Sequence, residues 1–360
     1  SLLDPILNQS DMALEGHIYD LDLRIRDVFA GKGITLGVET DTVYVRSGKN
    51  LMRKHAYGRL GLTAEWENKE QPIAFKALLQ EDLYEAPLLR IAGAYNPGAD
   101  EAIHVEEETR IAPHTIIAKA QINDFPLHIM EVFVPDISLV AGEFKAEALL
   151  HGPISAPKLD GEILITKGQF QIDYLKALFH LRNQTIRITE TRINADQARI
   201  FDATLRSAAT VTGGLSHHYF TDWRVDCTLR TEGANFLALN TVKGDNELFY
   251  GQGVGRFTAQ FAGPFEQLSI RIDAETGRDT RLYLPLGTGG EVRETNFIVF
   301  NKKSKQTESE IATPAKPSPG IELEMNLRAT EDAEIQLIFD EQAGDIVKSR
   351  GEGTLSLIMG

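Results

Sequence analysis

The sequence is poor in cysteine, in basic charge and in long apolar runs, and each shortage excludes something. Cys227 is the one cysteine in 360 residues, so there is no internal disulfide and no cysteine-rich zinc site. Lys and Arg total 37 against 52 Asp and Glu, a formal charge of -15. Phosphate contacts need a basic face, so nucleic acid is not expected as a partner. Electrostatic docking on anionic headgroups is disfavoured too, although contact with acyl chains is not. No run of about 18 apolar residues occurs, so no membrane-spanning helix is expected in this stretch. The chain starts at Ser1 without a basic or apolar leader and stops directly after Leu355-Ser-Leu357-Ile-Met359. Both ends are expected to be cuts in a longer chain, upstream of which a signal or anchor could lie.

Catalytic signatures are missing as well. There is no Gly-x-Ser-x-Gly and no His-Glu-x-x-His. Gly251-Gln-Gly253-Val-Gly255 and Gly31-Lys-Gly33 lack dinucleotide spacing and a following helix, and read as turns or bulges beside strands. His217-His218 with Asp222 offers metal-type ligands, but adjacent strand residues point to opposite faces, and a solvated turn is expected instead. The pair Asp20/Asp22 shares a strand face like many surface carboxylates, and Glu106-Glu107-Glu108 reads as a solvated edge or loop. The expectation is a protein that is not an enzyme and has no cofactor and no metal.

What the sequence does have is period 2, nearly throughout. Trp223, Val225, Cys227 and Leu229 alternate with polar residues, as do Ile321, Leu323, Met325, Leu327 and Ala329. Phe257-Ala259-Phe261, Leu268-Ile270-Ile272, Ala333-Ile335-Leu337-Phe339, Ile73-Phe75-Ala77-Leu79 and Leu60-Leu62-Ala64-Trp66 behave the same way. Alternation puts one face of each strand on apolar surroundings and the other in water. A parallel sheet covered by helices would show continuous apolar runs instead. Only two windows suit short helices, Phe125 to Phe133 and Asp173 to Leu181; the second has Asp173 as N-cap and Leu175, Leu178 and Phe179 on one face.

Turn signals punctuate the strands. Lys167-Gly168 reverses the apolar parity between Ile163/Ile165 and Phe170/Ile172, as a tight hairpin or a bulge would. Gly213-Gly214, Glu232-Gly233 and Lys243-Gly244-Asp245 read as further reversals. Residues 301–320 are polar and proline-rich, and read as a mobile surface loop inside one patterned region. Weak repetition links Gly142-Glu-Phe144-Lys-Ala146 before Gly152-Pro153 with Gly255-Arg-Phe257-Thr-Ala259 before Gly263-Pro264. A fainter echo pairs Tyr57-Gly58 with Tyr250-Gly251. Repeated amphipathic strands that stack on their neighbours suggest an elongated sheet.

Such strands must hide their inner side by closing on themselves or by facing something apolar. The candidate groove residues are Ile163, Ile165, Phe170, Ile172, Leu205, Val211, Trp223, Val225, Cys227 and Leu229. With them go Phe257, Ala259, Phe261, Ile270, Ile272, Leu323, Met325, Leu327, Ile335, Leu337 and Phe339. A packed sandwich core and a groove open to acyl chains both fit this pattern.

Several segments, in order, resemble the TamB family, the translocation and assembly module subunit, in its Bacteroidota-like form. They are Phe125-Pro-Leu127, Gly142-Glu-Phe144 and Gly152-Pro-Ile-Ser-Ala-Pro-Lys-Leu-Asp-Gly161 running on to Phe170. Asn235-Phe-Leu-Ala-Leu-Asn-Thr241, Asp245-Asn-Glu-Leu-Phe-Tyr-Gly251-Gln-Gly253 and Gly263-Pro264 follow. Leu284-Pro-Leu286, Phe297-Ile-Val-Phe300 and Asp332-Ala-Glu-Ile-Gln-Leu-Ile-Phe-Asp-Glu-Gln-Ala-Gly-Asp345 complete the set. The resemblance covers about residue 125 to the end; residues 1–124 share the strand pattern alone.

The resemblance implies an all-β fold: a long, strongly curved sheet rolled lengthwise into a U-shaped trough, a β-taco, with an apolar interior and one or two short helices. It implies a TamB-like trough over 125–360, and the shared strand pattern extends this to N-terminal trough repeats over 1–124, together one continuous elongated domain. It implies a periplasmic setting in a Gram-negative bacterium, an inner-membrane anchor, and an outer-membrane barrel partner of the TamA type met through a C-terminal tail that this chain lacks. Relatives of AsmA-like and bridge-like lipid transfer type suggest phospholipid acyl chains as ligand, with outer-membrane protein assembly and autotransporter secretion as associated roles. A competing expectation is a chaperone that offers its sheet edge to outer-membrane protein strands by β-augmentation. A carbohydrate-active or adhesive β protein is disfavoured by two Trp and no convincing carboxylate pair.

Overall fold

The computed structural model describes residues 13–25, 33–47, 53–68, 70–81, 86–98, 101–106, 109–134, 137–245, 249–265, 267–285, 299–300, 320–340, 345–350 and 352–359. The expected loop lies outside them as far as residue 319; Gly320 already belongs to a strand.

Alternating residues make strands here, and each strand finds its neighbour almost always next in the chain. Strands β1 (Ala13–Glu15) and β2 (Ile18–Ile25) lie end to end along β3 (Ile34–Ser47). Antiparallel pairing continues through β4 (Arg53–Trp66), β5 (Ile73–Gln80) and β6 (Leu89–Tyr95). A hairpin of β7 (Ile103–Glu106) and β8 (Thr109–Ile111) stands apart, and β9 (Thr115–Pro126) resumes against β6. Then come β10 (Ile137–Pro153), β11 (Lys158–Ile172) and β12 (Ala177–Thr189). Two in-line pieces, β13 (Arg192–Asn194) and β14 (Ala198–Asp202), separate β12 from β15 (Ala208–His218).

The C-terminal part keeps this in-line habit. β16 (Thr221–Thr231) and β17 (Phe236–Thr241) share one edge of β18 (Tyr250–Pro264), while β19 (Gln267–Thr276) and β20 (Arg281–Pro285) share the other. β21 (Val299–Phe300) is short. β22 (Gly320–Ala329) and β23 (Glu334–Asp340) run parallel to β19 and β20. β24 (Asp345–Arg350) borders β23, and β25 (Gly353–Met359) borders β22 and β21. All these strands except β7 and β8 form one sheet of 23. The fold is all-β, a single strongly curved, trough-like sheet. Among the described residues no helix is long and apolar enough to cross a membrane.

Curvature has local causes. Gly251, on β18, has φ 121, and a β-carbon there would stand 2.1 Å from the Arg281 carbonyl oxygen. Gly58, on β4, repeats the device with φ 88 and the Gln80 oxygen at 2.1 Å, so the Tyr-Gly echo marks equivalent kinks. Where rows of strands break in line, threonine hydroxyls replace ladder bonds. Thr280 Oγ1 donates to Val254 O at 2.6 Å and accepts from Val254 N, and Thr330 N donates to Thr276 Oγ1 at 2.9 Å.

Of the two readings of Lys167-Gly168 the bulge holds: pairing steps from Phe144–Ile165 to Glu143–Lys167, so Thr166 is the extra residue within β11. Three expectations change. Glu232-Gly233 is no reversal, since β16 and β17 run in the same direction along β18. Gly213-Gly214 lies inside β15 rather than at a reversal, because the neighbouring strand crowds it; a β-carbon on Gly214 would stand 2.0 Å from Ile193 O. The Asp173–Leu181 window is a turn followed by β12, not a helix. Its helical spacing is coincidental with the alternation Ala177-Phe179-Leu181, and packing of Phe179 on Phe170 and Phe236 selects the strand. The first window is correct in part, with β9 followed by a 3-10 turn at Leu127–Ile129 and one α turn, α1 (Met130–Phe133).

Candidate functional site

Pairing registers define one face of the sheet residue by residue. Leu21, Val38, Leu62, Ala77, Ile91, Ala120 and Ala148 are successive cross-strand partners. The series continues through Gly161, Ile188, Ile193, Leu215, Val225 and Gly263. Every member is apolar or glycine. At roughly 4.8 Å per strand, these thirteen positions form a stripe about 58 Å long around the curve. A second row runs Leu60, Leu79, Leu89, Ile122, Ala146, Ile163 and Ile186. The opposite face carries Asp22, Gly37, Thr63, Lys76, Ala92, Lys119, Leu149 and Asp160 in register, mostly polar.

The apolar stripe is neither packed away nor fully wet. Most of its side chains are half-buried, and at the β2 end Leu21 and Leu23 are 63% and 56% exposed. A sandwich core would bury them. Closure is local, in two places. The 3-10 turn and α1 cover Val45, Tyr57, Leu79 and Phe125. Further along, β17 folds over the face, where Phe236 stacks on Phe179 at 5.8 Å and meets Phe257 edge-on at 5.6 Å. Asn240 N donates to Leu175 O at 2.9 Å, tying β17 across the face to the turn before β12.

The candidate residues distribute over this surface. Trp223, Val225, Cys227 and Leu229 lie half-buried on β16. Cys227 pairs with Phe261, Phe261 with Ile270 and Ile270 with Leu323, one continuous row. Val211, Leu229, Ala259, Ile272 and Met325 form the next, and Phe257, Ala274 and Leu327 the one after. Phe170, Ile172, Val211, Leu229 and Phe257 pack against the locally closed cluster, whereas Ile163 is half-buried on the second row and Ile165 is buried. Ile335 and Leu337 sit on β23, the first half-buried and the second buried, and Gln336 and Ile338 on the other side are buried too, so that strand is covered on both faces. The side chain of Phe339 lies outside the described residues. Leu205 is a correction: it occupies the turn between β14 and β15 and is 44% exposed, because that alternation is broken by a reversal.

Burial and the adjacent Asp226 raise the Cys227 thiol above its ordinary value. His217 is buried, stacks on Phe220 and contacts Trp223, and its Nδ1 accepts from Phe220 N at 3.1 Å. His218 is exposed, so the pair shares no ion. Among the described residues one cluster has metal-type geometry, His151, Asp160 and Glu190, but the Lys158 ammonium already pairs with Glu190 at 2.7 Å. Sequence reasoning missed His55, Tyr57 and His128. Tyr57 is 2% exposed, and the imidazoles of His55 and His128 stack at 4.4 Å beneath the helical turn. Strand parity could not have found the trio, because His128 reaches β4 only through the return of the chain at Leu127–Ile129.

The family model for the TamB C-terminal domain matches residues 197–359. That matched stretch, the C-terminal part of the chain, is similar to the TamB C-terminal domain. The match begins after the Phe125 to Phe170 segments, so the resemblance expected there is not covered by it. No curated protein and no solved structure matches the chain significantly. TamB proteins are non-enzymatic components of the translocation and assembly module. They serve outer-membrane biogenesis in the cell envelope together with a TamA-type partner.

Proposed function

We propose that this chain is a stretch of periplasmic trough that holds and passes phospholipid acyl chains between the inner and outer membranes. The observation that carries the reading is the thirteen-position apolar stripe, half-buried on one face with polar residues in register behind it. An acyl chain laid there gains roughly 0.8 kcal/mol for each CH₂ taken from water, while its headgroup stays at the wet rim. Pairing of β6 with β9 and of β9 with β10 crosses residue 124 without a break, which supports 1–124 and 125–360 acting as one trough. The edge-pairing alternative has one observation in its favour: among the described residues β2 is paired on one side only and exposes Leu21, Leu23 and Ile25.

The test is the pair Val225→Arg and Ile91→Arg, both on the open stripe. Arginine there can lead its charge to the rim, so the variant stays soluble and β-rich but no longer copurifies with phospholipid. Unfolding would point to a closed core, where each unpaired charge costs about 3–5 kcal/mol. A folded variant that keeps its lipid contradicts the proposed face.

A further inference from the structure

Three side chains whose buried polar atoms find no partner among the described residues pack together inside the apolar trough. His55 and Tyr57 are two residues apart on β4 and share its inner face, and His128 comes down on them from the 3-10 turn. Ring centroids are 4.4 Å apart for His55–His128 and 5.5 Å for Tyr57–His128. The His55 Nε2, His128 Nε2 and Tyr57 hydroxyl are all buried and have no hydrogen-bond partner among the described residues. Around them are Val45, Leu79, Phe125, Leu60, Leu89 and Phe144. Buried polar groups are normally satisfied, so this trio marks a place where an oxygen atom belongs.

We infer that His55, Tyr57 and His128 form a polar station in the trough that binds an uncharged oxygen function, an ester carbonyl or hydroxyl, of a long-chain amphiphile. The inference rests on the acyl-chain reading of the trough. The phenol donates, and a neutral imidazole donates or accepts according to its tautomer. Burial and the neighbouring His55 hold His128 below its ordinary value, hence neutral, and burial holds the Tyr57 phenol protonated. Glu131, on α1, places negative charge close enough to be felt by both, which opposes a phosphate or carboxylate. The row Leu60, Leu79, Leu89, Ile122 and Ala146 leads away from the trio and supplies the bed for the chain. Access requires the 3-10 turn to lift.

The experiment compares monoolein, 1-octadecene and oleate as competitors for a pyrene-labelled alkane bound to the full chain. Monoolein is expected to bind about tenfold more tightly than octadecene, the equivalent of one or two net hydrogen bonds. Tyr57→Phe with His128→Phe should erase that preference and leave octadecene unchanged. Tyr57→Phe alone, which only deletes an unpartnered hydroxyl, should fold as wild type and halve the preference or more. Equal binding of monoolein and octadecene by wild type, or a preference unaltered in both variants, overturns the station and indicates that water fills it. Tighter binding of oleate than of monoolein overturns its neutrality. A wild-type chain that takes up none of the alkane contradicts the acyl-chain reading itself, and the station with it.

Discussion

At residue scale the trough is a matter of which side chains are missing as much as which are present. Gly251 on β18 carries a positive φ and sits against the Arg281 carbonyl. Gly251→Ala should therefore lower stability by about 1–3 kcal/mol, read as a drop in the urea midpoint. An unchanged midpoint would mean the kink is not needed. Cys227 tests the parity of β16. It shares the inner face with Val225, is half-buried and has a raised thiol pKa, so at pH 7.5 a membrane-impermeant maleimide should label it far more slowly than a free thiol. Rapid stoichiometric labelling would show that residue facing outward. Both residues were legible in the sequence, Cys227 through strict alternation and Gly251 through its echo of Tyr57-Gly58. His55, Tyr57 and His128 were not. A histidine in an apolar window has no intrinsic direction, and only the return of the chain at Leu127–Ile129 brings it over β4.

At the scale of elements, alternation was enough to find most strands, because water on one side and apolar atoms on the other impose period 2 directly. It failed where tertiary contact decides. Leu175, Leu178 and Phe179 have helical spacing, yet Phe179 is drawn into a strand by Phe236, a residue fifty-seven positions later. The parallel return of β22 alongside β19 was equally illegible, since strand direction leaves no mark on hydropathy. The helical segment over β4 makes a pH prediction. His128 faces His55 and Tyr57 from β4, Glu131 on its own side and Glu81 beyond β5. Its folded pKa is lowered from 6.5, so the unfolded or lifted form binds the proton more readily. The stabilising contribution is complete above pH 6.5 and is lost progressively as pH falls below it. Amide exchange of Leu127–Phe133, corrected for intrinsic rates, should thus quicken from pH 7.5 to pH 5.5, and His128→Phe should remove that dependence. Equal protection at both pH values would contradict the stacked neutral pair.

On the scale of the whole molecule, one sheet serves as floor and walls together. Two local covers, the helical turn over Tyr57 and β17 over Phe179, give buried clusters that hold the curve, while the stripe from Leu21 to Gly263 stays half-open between them and the rim. The overall β architecture could be read from composition and period alone. The division into covered and open stretches could not, because a residue on the inner face alternates in the same way whether or not something packs on it; Phe257 and Val225 share a pattern and differ in surroundings. The central claim is that the open face of this chain contacts acyl chains in the cell. Site-specific photo-crosslinking decides it most directly, with a benzophenone side chain placed at Val225 on the inner face or at its outward neighbour Arg224. The account predicts phospholipid covalently attached at position 225 and none at 224. Polypeptide captured at 225 in place of lipid, or equal lipid capture at both positions, would contradict it.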